Sequence, residues 1–404
     1  MYLNQKHHKE TLYFAISTML ERASYYGLRA LVILYMVGEI LKMERADAFS
    51  IYGIFTGSIV FSKIIGAVIG DIIIGNKKAI IAGGIIQALG AFCLCIPSTI
   101  GLYLGLFLTV LGSGLFTPNI ISNFGKSYLM KTKLLDAGFT IFYLALNLGS
   151  FLGILAIGYI GEMYGYTIGF IIAGTLMLLA LIPLYYTKAV NYQKIEVIKS
   201  SPSKRLISIL SALLLVGLFW GFYELSGNRI YDLQLQLMEK STLAIPKHIW
   251  QSLNAIFILP ISIIAIVIWS YFFSNQSFKL MIGFISGAIS FGILLLVPET
   301  ATDSHTMTYL ISLVFLVISE IHIAPIVYSI LTKFANPKYL AILVSLVFLP
   351  TRLISLIFGL YRDRLYDYPM LGLKIGLIGM AIIGVLLGIY QLFRRKVTWS
   401  PKLD

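Results

Sequence analysis

The sequence predicts an all-α polytopic membrane protein with twelve transmembrane helices in two bundles of six. Of its 404 residues, 58% are hydrophobic and 12% are charged, and the mean hydropathy is +0.87. Soluble domains carry about 25% charged residues, so this composition is typical of a chain that crosses the bilayer many times. Its apolar segments are close to the roughly 20 residues that a helix needs to cross the hydrocarbon.

Twelve apolar segments follow one another along the chain, separated by short polar loops. Their predicted bounds are 11–38, 49–73, 78–98, 101–124, 136–160, 167–187, 206–227, 247–272, 278–297, 306–331, 338–359 and 371–393. The longest basic linker lies near the midpoint and divides six segments from six. We therefore expect an N-terminal bundle over 1–187, a cytoplasmic linker over 188–205 and a C-terminal bundle over 206–404. Such a division is typical of transporters whose substrate site lies at the midplane.

The positive charge of the chain is a topology signal. The net charge is +13, and Lys and Arg fall mostly in short loops at alternate ends of the apolar segments. This is the positive-inside pattern rather than a phosphate-binding face, so we expect the lipid bilayer and no nucleic acid as a partner. It predicts a protein of the bacterial cytoplasmic (inner) membrane with both termini in the cytoplasm.

The first segment carries three ionisable residues, Glu21, Arg22 and Arg29. Each costs about 2.5 to 3.5 kcal/mol at the centre of a membrane helix, so their presence indicates a function. With Tyr25 and Tyr26 they share one broad helical face, which we expect to line a watered cavity. The alternative is a buried ion-pair cluster that only holds helices together.

Motifs along the chain resemble those of one transporter family. Gly66 to Asp71 and Gly75 to Lys78 are similar to a loop motif of the major facilitator superfamily, in which an Asp caps a helix. Glu21-Arg22-x-x-Tyr25-Tyr26-Gly27 looks like the signature of the proton-dependent oligopeptide transporters (the POT or PTR family). Further matches follow in order: Asp136 to Tyr143, Asn147 to Ser150, Phe219-Trp220 with Glu224, Gln251-Ser252-x-Asn254, and Ser319-Glu320 with Pro325, Ser329, Thr332-Lys333 and Pro337.

The resemblance implies a major facilitator fold and roles for individual residues. Arg29 would bind the substrate carboxylate with its guanidinium fork. Glu320, helped by Asn147 and Asn254, would bind the amino group. Glu224 would pair with Arg29 and release it on protonation, as a proton-linked gate. For the two asparagines, interhelical hydrogen bonding is the alternative role.

The helix-one cluster has a further implied role. Glu21, Arg22, Tyr25 and Tyr26 would form the proton-responsive group, and Tyr25 would also contact substrate. The remaining ionisable candidates are Lys63 and His322. For Lys63 a cavity position and snorkelling to water stay open, and for His322 a titrating role and a hydrogen-bonded packing role stay open.

The sequence departs from the family pattern at two linked positions. Thr18 and Thr117 stand where the family has a Glu and a Lys that are partners in proton coupling. Removing both members of a buried pair can be nearly neutral for folding, so we interpret the change as a pair lost as a unit. The linker is also too short for the two extra helices that many bacterial members insert.

The sequence thus predicts a proton-coupled secondary transporter that imports di- and tripeptides, or a related zwitterionic metabolite, by alternating access. The alternative is a facilitator of amino acids or another small organic ion, which the uncharged Thr18 and Thr117 favour. We expect no enzyme, because no His or Cys cluster forms a catalytic constellation. We also expect a monomer that binds neither a cofactor nor a metal.

Overall fold

The computed structural model describes residues 6–187, 201–243, 250, 252–272, 274–359 and 368–398, which form helices joined by short turns. The first half contains α1 (Lys9–Val37), α2 (Arg45–Val68), α3 (Asn76–Cys93), α4 (Thr99–Ser127), α5 (Leu135–Tyr164), α6 (Tyr166–Leu179) and α7 (Leu181–Tyr185). The second half contains α8 (Pro202–Lys240), α9 (Leu253–Tyr271), α10 (Gln276–Leu294), α11 (Thr306–Phe334), α12 (Leu340–Ser345), α13 (Phe348–Gly359) and α14 (Pro369–Thr398).

Over the residues that the structure describes, the predicted membrane segments appear as helices, with an interruption in the eleventh. Within the described ranges, ten helical stretches are long and apolar enough to cross a membrane. The two predicted segments outside these ten are α1 and α3, whose polar residues lower their hydropathy: α1 contains Glu21, Arg22 and Arg29, and α3 begins with Asn76-Lys77-Lys78. The protein is therefore an all-α integral membrane protein, as its sequence predicts.

Helix α8 is longer than predicted. The expected end at 227 was wrong, since the helix continues to Lys240. Residues 228–240 include three Leu and two Gln, which are good helix formers, so the charges there do not stop the helix. Arg229 fastens this extension by donating to the carbonyl oxygens of Pro298 at 2.5 Å and Glu299 at 3.2 Å.

The eleventh predicted segment, 338–359, is broken rather than continuous. α12 ends at Ser345 and α13 begins at Phe348. Pro350 has no N–H to donate to the carbonyl of Leu346, four residues earlier, and its ring crowds that carbonyl. The helix therefore breaks at this turn.

The packing of α1 on α5 fixes the orientation of the helix-one cluster. A Cβ atom on Gly149 would lie 2.1 Å from the carbonyl oxygen of Met19, and one on Gly153 would lie 2.2 Å from that of Ala23. The two backbones are therefore in direct contact, as at small-residue interfaces of membrane helices. Any larger side chain at these glycines would push α1 away.

The internal contacts divide the chain into two compact units. Unit 1 comprises Met1–Ile209 with Leu331–Leu346, and unit 2 comprises Leu210–Ile330 with Val347–Asp404. This division assigns α12 and the last residues of α11 to the unit of the N-terminal helices. The predicted bounds 1–187, 188–205 and 206–404 stay a prediction, and residues 188–200 of the predicted linker lie outside the described residues.

Candidate functional site

The first polar cluster of unit 1 is centred on Glu21 and Arg22. Arg22 Nε donates to Glu21 Oε2 at 2.6 Å, and the two side chains are only 8% and 1% exposed. Gln87 of α3 reaches the other carboxylate oxygen, Oε1, at 3.5 Å. The pair is thus an internally neutral unit buried among helices, as a membrane interior requires.

The two threonines that replace charges of the family pattern lie in this cluster. Arg22 Nη2 donates to Thr117 Oγ1 at 2.6 Å, which links α1 to α4. Thr18 is 2% exposed, and its hydroxyl has no hydrogen-bond partner among the described residues. The hydroxyl of Thr117 thus bonds Arg22, and the charge of Arg22 is balanced by Glu21 instead.

Arg29 has different surroundings. Its Nε donates to the hydroxyl of Tyr52, on α2. Its guanidinium carbon lies 5.4 Å from the ring centre of Tyr52 and 5.8 Å from that of Tyr26, within cation–π range. Tyr25 packs edge-on against Tyr26, with ring centres 5.2 Å apart, and also against Phe55. Aromatic rings orient this cation.

The remaining predicted residues of unit 1 are Lys63 and Asn147. Lys63 is 8% exposed on α2, so it is a buried cation within a membrane helix. Asn147, on α5, donates from its side-chain nitrogen to the carbonyl of Tyr143, one turn earlier in the same helix, at 2.9 Å. That bond leaves the amide oxygen of Asn147 as its accepting group.

Two of the predicted amine-binding residues, Asn254 and Glu320, lie together in unit 2. Asn254 Nδ2, on α9, donates to Glu320 Oε2, on α11, at 3.4 Å. Glu320 is 4% exposed. Gln251, from the same predicted motif, lies outside the described residues. A buried carboxylate of this kind attracts a cation, because the low dielectric strengthens the interaction.

His322 lies in a second group of unit 2, with Trp269 and Lys279. Its Nδ1 is 2.8 Å from the carbonyl oxygen of Ile318, which can only accept, so Nδ1 carries the proton. Its ring meets that of Trp269 edge-on at 5.5 Å, and the ammonium of Lys279 lies 4.6 Å from the Trp269 ring centre.

Glu224 is an exposed residue of α8 in unit 2, whereas Arg29 belongs to unit 1. The predicted pairing of Glu224 with Arg29 therefore stays a prediction.

The loop motif after α2 forms a hydrogen-bonded network in unit 1. Asp71 Oδ2 accepts from the backbone N–H of Ile342 at 2.9 Å, in the first turn of α12. Its other oxygen accepts from Asn76 at 2.9 Å and lies 3.5 Å from Lys126 Nζ. The predicted helix-capping aspartate is thus confirmed, and the helix that it caps is α12.

Sequence reasoning missed several residues of these clusters. Gln87, Tyr52 and Lys126 were not singled out, and their partners are distant in sequence. Lys279 stands near the start of an apolar segment and resembles a positive-inside flank. Its 1% exposure shows that it is buried instead. Its position between Phe278 and Leu280, inside the apolar run, is the signal that could have indicated it.

Solved structures share this fold over nearly the whole chain. A crystal structure of a POT family transporter in complex with 5-aminolevulinic acid has a TM-score of 0.64 and 22% sequence identity, and the match covers 95% of this chain and 96% of that one. The POT family transporter PepTSo has a TM-score of 0.59 and 17% identity, over 96% and 99% of the two chains. The fold is thus that of an α-helical membrane protein of the major facilitator type.

Sequence comparisons refine this class. The model of the POT family matches residues 77–213. An uncharacterised transporter, YclF of Bacillus subtilis, is 36% identical over 186 residues, which are 45% of this chain and 37% of the relative. A di-/tripeptide transporter of Lactococcus lactis subsp. cremoris is 31% identical over 214 residues, 50% of this chain and 43% of the relative. Part of the chain is thus similar to the POT family, which is the family that its motifs resemble.

These matches cover less than half of the curated relatives' length. The peptide transporter YePEPT of Yersinia enterocolitica, for example, is 35% identical over 174 residues, which are 34% of that protein. The chain is thus similar to only part of each relative, and its activity is a proposal.

Proposed function

We propose that the protein is a secondary transporter that imports di- and tripeptides, or a related zwitterionic metabolite, by alternating access. The observation that carries this proposal is a pair of opposite charges in polar membrane clusters: Arg29 among tyrosines on α1, and buried Glu320 beside Asn254 on α11. A zwitterion presents a carboxylate and an ammonium, which these charges complement. The relatives named as peptide transporters support the same substrate class.

In this proposal Arg29 binds the substrate carboxylate. Tyr52 accepts from Nε, and the rings of Tyr26 and Tyr52 hold the guanidinium plane. A planar guanidinium held in this way pairs with a carboxylate through two parallel N–H bonds. Tyr25, which packs on Tyr26, supports the same aromatic wall.

Glu320 binds the substrate ammonium, with Asn254 and Asn147 as neutral helpers. Asn254 donates to one oxygen of Glu320 and keeps its own amide oxygen without a partner among the described residues. Asn147 uses its nitrogen on Tyr143 and likewise offers an oxygen. An ammonium has three donors and no acceptor, so oxygens are the atoms that recognise it.

Proton coupling through Glu224 completes the leading mechanism. A carboxylate that is paired with Arg29 in one conformation and separated in another changes its proton affinity between the two. We further propose that the protein lies in the bacterial cytoplasmic membrane as a monomer with both termini in the cytoplasm.

A facilitator is the second candidate function, and one observation favours it. The helix-one cluster is already neutral through the Glu21–Arg22 pair, and Arg22 bonds uncharged Thr117. This cluster therefore has no need to exchange a proton for charge balance. Such a protein equilibrates substrate without accumulating it.

Binding of substrates with a free or a blocked amino group tests the substrate assignment. Dipeptides should raise the melting temperature of the purified protein, because a ligand that binds the native state stabilises it by mass action. An N-acetylated dipeptide should bind about 10- to 150-fold more weakly, the equivalent of a charge-assisted bond of about 1.5 to 3 kcal/mol. The Glu320→Gln variant should lose this discrimination. Equal affinity of the wild type for both ligands would refute the amine-binding role.

Uptake into proteoliposomes separates the two candidate functions. A coupled transporter accumulates the dipeptide above its external concentration when a proton gradient is imposed, whereas a facilitator stops at equal concentrations. Counterflow exchange without a gradient is the control that both candidates must pass.

A further inference from the structure

The three residues that come directly before α1 lie against the end of α4. His7 Nδ1 is 2.7 Å from the hydroxyl oxygen of Tyr128, the residue that follows α4. The ring of His8 meets the ring of Tyr128 edge-on, with ring centres 5.8 Å apart. The carbonyl oxygen of Lys6 accepts from Lys131 Nζ at 2.8 Å. Each of the residues 6–8 therefore contacts the segment after α4, and we refer to these three residues as the α1 clasp.

Tyr128 connects the clasp to three helices of unit 1. Its side chain is buried, and its hydroxyl lies 2.6 Å from Thr11 Oγ1, near the start of α1. A Cβ atom on Gly138 would lie 2.7 Å from the Tyr128 ring, so α5 packs directly on that ring. The clasp thus holds the start of α1 where α4 ends and α5 begins.

The contacts of the clasp suit neutral histidines. His8 Nε2 is buried and has no hydrogen-bond partner among the described residues. A proton on this nitrogen would make it a buried donor without an acceptor, which is unfavourable. His7 is half-buried against the Tyr128 hydroxyl, and burial disfavours the charged form of an imidazole.

The nearby charges act in the same direction on balance. Burial and the ammonium of Lys131 lower the pKa of both His7 and His8 below the ordinary value of about 6.5. Glu10, in the first turn of α1, opposes this effect at His8. The other charged residues of the elements that meet here are Lys9, Lys126, Lys133 and Asp136.

The lowered pKa values make the contacts depend on pH. Above about pH 6.5 the two rings are neutral whether the clasp is docked or released, so docking displaces no proton. As the pH falls below this value, the released residues bind protons that the docked residues exclude. Protonation therefore favours release, and the stability of the docked clasp is lost in acid.

We propose that residues 6–8 are a pH-sensitive clasp, which holds the start of α1 at neutral pH and releases it in acid. One proton on each ring drives the release. The released rings carry their charge in water, away from Lys131. The residues proposed to bind the transported substrate take no part in the clasp.

The mobility of a spin label, measured by electron paramagnetic resonance, tests this proposal. The label is attached through Lys6→Cys to the full-length protein, in which Ser replaces Cys93 and Cys95, the two cysteines of the chain. The side chain of Lys6 is exposed, and its contact with Lys131 is made by the backbone, so the label leaves that contact in place. We expect an immobilised label at about pH 7.5 and a mobile label at about pH 5, with full reversal at neutral pH.

Variants of the clasp identify the groups that titrate. His7→Gln/His8→Gln has no titratable ring in the clasp, so the label should lose its response to pH. His305→Gln is the matched control, because His305 lies in unit 2 beside Thr302, and it should respond like the wild type. Tyr128→Phe removes one hydrogen bond and weakens docking about two- to tenfold, so the midpoint of release should rise by up to about half a pH unit.

Three outcomes would overturn the proposal. One is equal mobility of the Lys6→Cys label at both pH values in the protein with its histidines intact, a result that depends on no histidine variant. Another is a full pH response in His7→Gln/His8→Gln, which would show that a different group titrates. The last is the same response from a label attached through Arg45→Cys, at the exposed start of α2, because acid would then loosen unit 1 as a whole.

Discussion

Arg22 and Arg29 lie about two turns apart on the same helix, yet the fold surrounds them in opposite ways. Arg22 is buried, bonded to the carboxylate of Glu21 and to the hydroxyl of Thr117. Within unit 1, Arg29 contacts the rings of Tyr26 and Tyr52 and donates a hydrogen bond to the hydroxyl of Tyr52. The first charge is neutralised inside unit 1, whereas the groups around the second orient it and leave its charge in place. The difference separates an arginine that stabilises the fold from one that is suited to bind a ligand.

The largest expected effect of this difference is on stability. Arg22→Leu leaves the carboxylate of Glu21, which is fully buried, without its cation. Breaking a buried pair in this way costs about 3 to 5 kcal/mol of unfolding free energy. The double variant Glu21→Gln/Arg22→Leu removes both charges and should recover most of the loss. Thermal unfolding of the purified variants measures both effects.

The exposed Arg45 provides a control for this experiment, because Arg45→Leu removes an arginine from the start of α2 without unpairing a buried acid. A single Arg22→Leu variant as stable as the wild type would contradict the assignment of Arg22 to the fold. A double variant as unstable as the single one would show that packing of Arg22, rather than charge balance, is what matters.

The second effect is on binding. Arg29→Leu should change the melting temperature little, because no buried carboxylate of unit 1 depends on Arg29 among the described contacts. Its affinity for a dipeptide should fall about 10- to 150-fold, from the loss of a charge-assisted bond of about 1.5 to 3 kcal/mol. Competition between an unlabelled and a labelled dipeptide measures this affinity.

Arg29→Lys is the conservative comparison for that variant. It keeps the charge but loses the planar fork, so its affinity should lie between those of the wild type and Arg29→Leu. Unchanged dipeptide affinity in the Arg29→Leu variant would show that Arg29 does not bind the dipeptide. The two arginines would then not differ in function.

The sequence was sufficient to predict the helical class and most of the membrane segments. Long apolar runs determine both, because a helix needs about 20 mostly apolar residues to cross the hydrocarbon. The family motifs pointed to Arg29, Glu320 and the capping role of Asp71. Each of these residues belongs to a short pattern of neighbours along the chain.

The partners of Glu21, Arg22 and Arg29 on α1 could not be predicted in the same way. Thr117, Gln87 and Tyr52 lie on other helices, and which of their side chains reaches α1 depends on helix packing. The glycines of α5 set that packing through backbone contacts with α1. Their spacing of four residues indicates a close helix contact but not which side chains of other helices then reach α1. The break of the eleventh segment was different, since Pro350 already indicated it in the sequence.

The third effect is on proton-driven accumulation, through the proposed pairing of Arg29 with Glu224 during transport. If Glu224 pairs with Arg29 and releases it on protonation, Glu224→Gln should abolish pH-driven accumulation and preserve part of the exchange activity. For one proton per substrate, a gradient of one pH unit supports at most about tenfold accumulation, and the variant should reach a ratio of about one. Uptake into proteoliposomes measures this ratio.

Glu239→Gln is the matched control, because Glu239 is an exposed glutamate further along the same helix. It should accumulate substrate like the wild type. Undiminished accumulation by Glu224→Gln would exclude Glu224 as the gate. If the wild type itself never accumulates substrate, the protein is a facilitator, and Arg29 binds substrate without being part of a proton-linked pair.

The smallest effect tests how Arg29 is held. Tyr52→Phe removes the hydroxyl that accepts from Arg29 Nε but keeps the ring under the guanidinium. The loss of one such bond is worth about 0.5 to 1.5 kcal/mol, so the dipeptide affinity should fall about two- to tenfold. Tyr26→Phe is the control, since the described contact of Tyr26 with Arg29 is made by its ring. If the two variants weaken dipeptide binding equally, the hydroxyl of Tyr52 does not position the guanidinium, and stacking alone holds Arg29 in place for its ligand.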